Sequence, residues 1–172
     1  ILVPLMVGLV LSLSALGTFW AGSKIGEKRA LRLAPPMLSG ATGLRSARGD
    51  RETNEDSAIV MSVSTSFRSG SGNRLLLAVA DGMGGHKAGE LASAMCVKIF
   101  SEYLYPYLES TLTQEDLSGL MNNALLKANS EIRAMASERP EAARMGTTFV
   151  GAVAVGDQLH IAWVGDSRSY LI

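Results

Sequence analysis

The strongest constraint on the fold is one uninterrupted stretch of chain. Arg74–Ala80 (RLLLAVA) is apolar enough to be a central strand, and it runs directly into Asp81-Gly82-Met83-Gly84-Gly85-His86. A helical period follows at once: over residues 87–104, Leu91, Met95, Ile99 and Tyr103 share one face, with Ala92, Cys96, Phe100 and Leu104 beside them. A strand that must be buried is thus tied to a helix that must be packed by one short acidic loop. Its glycines give the backbone freedom to turn away from the strand. Taken alone, the loop fits an ordinary Asp-Gly turn opening a helix as well as a carboxylate presented at a sheet edge.

The flanking chain extends this pattern. Ser57–Ser64 predicts a strand, and Ser69-Gly70-Ser71-Gly72-Asn73 a turn that pairs it with Arg74–Ala80 as a hairpin. Thr113–Asp116 resembles a helix-opening capping box. Leu117, Leu120, Met121, Ala124, Leu125, Ala128 and Ile132 then mark a second amphipathic helix, and Pro140 its end. Thr147–Val155 and Leu159–Val164 predict strands joined by Gly156-Asp157-Gln158, and Ser169–Ile172 starts another. Strands, then helices, then strands indicate an α+β class. Aromatics make up only 6% of residues, so the core is built mainly from Leu, Val, Ala and Met. Cys96 falls on the apolar helix stripe and is expected to be a small buried hydrophobe.

The first charge in the chain is Lys24. A helix over residues 1–22 would span roughly 33 Å at about 1.5 Å per residue, enough to cross the bilayer hydrocarbon. Trp20 suits its interfacial end, and Lys24, Lys28, Arg29 and Arg32 against Glu27 alone would place that flank in the cytoplasm. A signal-peptide core or a buried helix are the alternatives. The expected organisation is a transmembrane helix over 1–23, a basic juxtamembrane linker over 24–40 containing Pro35-Pro36, and a folded domain over 41–172.

Three acidic clusters stand at predicted strand ends: Arg51-Glu52-Thr53-Asn54-Glu55-Asp56, the Asp81 loop, and Gly165-Asp166-Ser167-Arg168. Converging carboxylates repel one another and resist burial, and a divalent cation relieves both. With only His86, His160 and Cys96 as softer donors, oxygen ligation of Mg²⁺ or Mn²⁺ is favoured over a zinc site. Two such ions can activate a water and clamp a phosphate. Arg51 offers a planar fork to a phosphate oxygen, or is a solvated surface arginine. Asp166 and Arg168 could equally form a turn or a salt bridge. His86 could move a proton or cap the helix, and His160 is expected to be structural. Lys plus Arg number 16 and Asp plus Glu 16, so the basic excess of a nucleic-acid binder is missing.

Taken together, RGDRETNEDSAIV, LLLAVADGMGGHKAGELAS, MGTTFVGAVAV and LHIAWVGDSRSYLI resemble the metal-dependent protein serine/threonine phosphatases, often called protein phosphatase 2C. The likeness runs from about Arg48 to Ile172, and the DGMGGH form is similar to the bacterial branch. It implies a sandwich of two antiparallel β-sheets flanked by helices, in four α-β-β-α layers, with the metal site at one edge.

Carried over by motif position, the resemblance implies that Asp81 bridges two catalytic Mn²⁺ or Mg²⁺ ions and Gly82 offers its carbonyl to one of them. Glu55 and Asp56 would hold metal-bound waters, Arg51 would bind the substrate phosphate, and Asp166 would belong to a third, weaker site. Thr147 and Thr148, after Met145-Gly146, would be structural. The implied reaction is direct hydrolysis of phosphoserine and phosphothreonine in proteins by a metal-activated water, with no phospho-enzyme. Two departures stand out. Met83 occupies the place of a histidine found in animal members. The family's later motifs, which supply further aspartates, do not appear before Ile172, so the phosphatase domain is expected to be incomplete at its C-terminus.

The whole expectation is a membrane-anchored bacterial phosphatase whose domain faces the cytoplasm, acting on phosphoproteins, with a serine/threonine kinase or its targets among the candidate partners. The rivals are a catalytically inactive, phosphoprotein-binding pseudophosphatase, a hydrolase of small phosphate esters, and a sensor signalled through its membrane segment.

Overall fold

The computed structural model describes residues 8–11, 30–32, 42–67, 70–108, 114–156 and 158–172. In chain order its elements are β1 (Gly8–Leu11), β2 (Ala30–Arg32), β3 (Asp56–Phe67), β4 (Gly70–Met83), α1 (His86–Leu108) and α2 (Gln114–Glu138). A 3-10 turn at Pro140–Ala142 follows, then β5 (Gly146–Thr147), β6 (Phe149–Val155), β7 (Gln158–Val164) and β8 (Arg168–Leu171).

The main sheet runs β2-β7-β6-β4-β3, antiparallel throughout, with the short β5 also paired to β4. Alternation along the strands sorts its side chains. One face carries Ile59, Met61, Leu76, Ala78, Ala80, Phe149 and Val153, and both helices pack there through Ala92, Cys96, Phe100, Leu104, Leu117, Met121, Ala124 and Ala128. Phe100 and Phe149 meet with ring centroids 4.5 Å apart. The expected core stripe of α1 is thus the one that is buried, with Cys96 inside it.

The other face carries Leu77, Val79, Val150, Ala152, Ala154 and Leu159, which are buried too, although none belongs to the helix-side cluster. The α+β class with an antiparallel sheet and helices is as expected. The expected second antiparallel sheet differs: among the described residues a second sheet consists of β1 and β8 alone, and they pair in parallel.

The hairpin closes later than the turn residues suggested. Gly70–Asn73 belong to β4, with Phe67 opposite Gly70 and Ser64 opposite Asn73, because continuing the ladder satisfies backbone groups that a wider turn would leave open. Helix α1 continues past Leu104 through Pro106 to Leu108. Leu108 is fully buried, and the Arg74 guanidinium donates to its carbonyl, capping a helix end that proline would otherwise weaken.

Of the expected transmembrane helix over 1–23, the structure describes only Gly8–Leu11, which form a strand beside β8; the rest, and nearly all of the 24–40 linker, lie outside the described residues. No described helix is long and apolar enough to cross a membrane.

Candidate active site

The candidate site lies where β3 begins and β4 ends. Antiparallel register places Asp56 directly opposite Asp81, so both side chains leave the same face of the sheet. Burial pushes the Asp56 carboxyl above its ordinary range; the negative charge of Asp81 adds to this, as do Glu55 and a hydrogen bond shared with Asp81, while Arg51 pulls the other way. Two carboxyl groups therefore compete for one small volume, with one exposed guanidinium nearby.

Asp81 is held by its backbone. Its N–H donates to Thr148 Oγ1 at 3.1 Å, and its carbonyl accepts from Thr148 N–H and from Thr147 Oγ1, each at 2.9 Å. Thr147 also faces Gly82 across the β4–β5 ladder. The two threonines thus hold the Asp81 backbone from both sides, in keeping with the structural role expected of them.

Glu55 is fixed from the other side. Its carbonyl accepts from Gly82 N–H at 3.1 Å and from Ser93 Oγ at 2.6 Å, and Ser93 Oγ also lies 3.0 Å from Ser57 Oγ. Its side chain reaches Gly89 in the first turns of α1, where an added Cβ would overlap Glu55 Oε2. Gly82 is buried between the Gly89 and Glu55 carbonyls, and a Cβ there would strike both. Gly84 has φ +121°, and a Cβ on it would come within 2.6 Å of the Arg144 carbonyl oxygen. Two loop glycines are therefore required by close backbone approach.

The acidic residues do not all converge. Asp56 and Asp81 form a pair, Glu55 is turned toward α1, and Asp166 is exposed in the turn between β7 and β8. Among the described residues no three His, Cys, Asp or Glu side chains group as a metal cage. The pKa of Arg168 is raised, first by a hydrogen bond with Tyr170 and least by the charge of Asp166. His86 opens α1, and Met83 stands 54% exposed at the rim. His160 is buried, with Nδ1 at 3.2 Å from Ser118 Oγ, and burial lowers its pKa, in keeping with a structural role.

Ser93 and Gly89 were not marked by the sequence, and Ser167 stood out only as part of the Asp166 cluster. Ser93 lies in a helix read only for its apolar stripe, of which it is not a member, and its partner Glu55 is 38 residues away. The Thr148–Ser167 contact joins two motifs that carry no local sign of meeting.

The Protein phosphatase 2C family profile matches residues 45–171. The serine/threonine phosphatase stp of Listeria monocytogenes is 39% identical over 100 residues, covering 58% of this chain and 39% of that protein. The crystal structure of the Mycobacterium tuberculosis serine/threonine phosphatase PstP/Ppp aligns with a TM-score of 0.51 at 31% identity, covering 81% of this chain and 46% of the other. A PstP catalytic domain solved with two manganese ions aligns at 0.52 and 28% identity, covering 81% and 47%. The chain thus spans less than half the length of these relatives. The matched region holds the Asp56–Asp81 pair, its threonine clamp and the Asp166 turn, and by it the chain belongs to the protein phosphatase 2C family.

Proposed function

We propose that this chain carries the Asp81 side of a metal-dependent phosphatase site that hydrolyses phosphoserine and phosphothreonine in proteins. The observation that carries the reading is the cross-strand Asp56–Asp81 pair, beside Arg51 and pinned through the Asp81 backbone. Its donor set fits a hard divalent cation: two carboxyls crowd together with too little positive charge to satisfy them, and all the nearby donors are oxygens.

Asp81 and the Gly82 carbonyl would hold the catalytic Mn²⁺ or Mg²⁺ ions, Glu55 and Asp56 would hold their hydration shell, and Asp166 would serve a third ion. When bound, such ions supply a water of lowered pKa and positive charge for the phosphoryl oxygens. The remaining carboxylates of a two-ion site belong, in the family pattern, to its later motifs.

The chain's own residues have separable tasks. Arg51 is exposed and close enough to act on Asp56, so its fork can orient a phosphate at the carboxylate pair. Thr147 and Thr148 keep Asp81 from swinging away. Met83, in place of a histidine, has no proton to give a leaving group. The buried apolar face of the sheet opposite the helices supports the four-layer arrangement.

The test compares turnover of a phosphothreonine peptide with that of small metabolite phosphates by the full-length protein, with Mn²⁺ and after chelation. Metal-dependent turnover of the peptide in preference to the small esters is expected. Equal or better turnover of the small esters overturns the protein-substrate reading, and turnover unaffected by chelation overturns the metal reading.

Membrane anchoring through 1–23, with the domain in the cytoplasm, is part of the same proposal, supported by the charge-free run before Lys24 and the basic flank after it. Gly8–Leu11 pair with β8 in this structure, and in the anchored protein the same residues would leave that strand for the spanning helix. Carbonate extraction of bacterial membranes separates the two: retention in the pellet is expected, and complete release overturns the anchor.

A further inference from the structure

We propose that Thr148 and Ser167 act as a positioning relay that sets Asp81 for metal binding; the inference rests on the metal-site reading above. Thr148 is 7% exposed and touches the site from three directions. Its N–H donates to the Asp81 carbonyl, its Oγ1 accepts from the Asp81 N–H, and the same Oγ1 lies 2.5 Å from Ser167 Oγ.

The hydroxyl pair ties the turn to the Asp81 amide whichever of the two hydroxyls donates. Thr148 Oγ1 accepts from the Asp81 amide, and its one proton and second lone pair let it donate to Ser167 Oγ or accept from it. With Thr148 as donor, Oγ1 becomes the better acceptor, because linked hydrogen bonds polarise one another; with Ser167 as donor, the contact fixes the orientation of Oγ1 toward the amide.

The turn is built to press on this one side chain. Gly165 has φ +89°, and a Cβ on it would come within 3.0 Å of Thr148 Cγ2 and 3.1 Å of its Cβ. The β7–β8 turn therefore grips Thr148 by the methyl at Gly165 and by the hydroxyl at Ser167. Asp166 lies between the two. The relay thus runs from the Asp166 turn through Thr148 to the Asp81 backbone, and neither Thr148 nor Ser167 needs to touch metal or substrate.

The test uses the full-length protein and two readouts: Mn²⁺ affinity by calorimetry and protection of the Asp81 amide by hydrogen exchange without metal. Thr148→Val keeps the shape and removes the hydroxyl. It should lower Mn²⁺ affinity by roughly 10- to 100-fold, the range for partners that orient a metal ligand, and should deprotect the Asp81 amide. Thr148→Ser should restore both. Ser167→Ala, at a half-exposed position less exposed to folding failure, should change both in the same direction by less, and should add little on top of Thr148→Val. Wild-type affinity and amide protection in Ser167→Ala and Thr148→Val overturn the relay while leaving the metal site standing. Absence of Mn²⁺ binding by the wild type overturns the metal-site reading and the relay with it.

Discussion

Replacing Gly82 by alanine tests how tightly the site is built. Gly82 N–H donates to the Glu55 carbonyl at 3.1 Å, and the added Cβ would overlap the Gly89 carbonyl while lying 2.7 Å from the Glu55 carbonyl oxygen. Both obstacles are backbone, so no side chain can rotate away. Either the first turn of α1 or the chain before β3 must shift. Overpacking of this kind costs about 1–3 kcal/mol, and two backbone contacts put Gly82→Ala near the upper end.

At roughly 2–4 °C per kcal/mol for a domain of this size class, the expected fall in Tm is about 6–12 °C. The shift should also lower Mn²⁺ affinity, because Gly82 and Glu55 move together. Gly119 provides the control: it lies within α2, a Cβ there meets nothing within 4 Å, and Gly119→Ala should stabilise by about 0.5–1 kcal/mol. The assay is thermal unfolding of the full-length variants with and without Mn²⁺. A Gly82→Ala protein as stable as wild type, with unchanged Mn²⁺ affinity, would refute the close packing described.

Burial keeps His160 neutral in the fold to a lower pH than its ordinary 6.5. The unfolded chain takes up that proton first, so stability is full above about pH 6.5 and declines as pH falls below it; urea midpoints at about pH 7.5 and 5.5 should differ less in His160→Gln than in wild type. Burial also pushes the Cys96 thiol up to about 12. Native protein should therefore leave a thiol reagent unreacted at Cys96 at neutral pH until denaturant is added, and peptide mapping of the labelled cysteine reads this directly.

Much of the helical half was legible in the sequence because its signal is local. Leu91, Met95, Ile99 and Tyr103 lie on one side of α1, and Leu117, Met121, Ala124 and Ala128 repeat the pattern on α2, so periodicity alone gives the packing faces. Pro140 marked a real boundary, since α2 ends at Glu138 and a 3-10 turn begins at the proline. Pro106 marked none, because the buried Leu108 and the Arg74 cap outweigh one lost backbone bond.

The candidate site was legible as a set of residues but not as a geometry. Asp56, Asp81 and Glu55 stand out as acids at strand ends, whereas the facing of Asp56 and Asp81 depends on the hairpin register, and that register extends through Gly70–Asn73. The threonine clamp joins residues 66 and 67 positions apart, a separation at which no local propensity operates. Glu55 and Asp56 look equivalent in sequence, yet strand alternation sends only Asp56 to the Asp81 side, and Glu55 goes to Gly89.

The central claim is that Asp81 holds the ions that make this chain a phosphatase. Turnover of a phosphothreonine peptide with Mn²⁺, measured for the full-length protein and its Asp81→Asn variant, tests it most directly. The account predicts turnover by the wild type and a loss of at least about 100-fold in the variant, the scale expected when a group stabilising the transition state is removed, with the fold retained. Turnover that survives Asp81→Asn at the wild-type rate would contradict it.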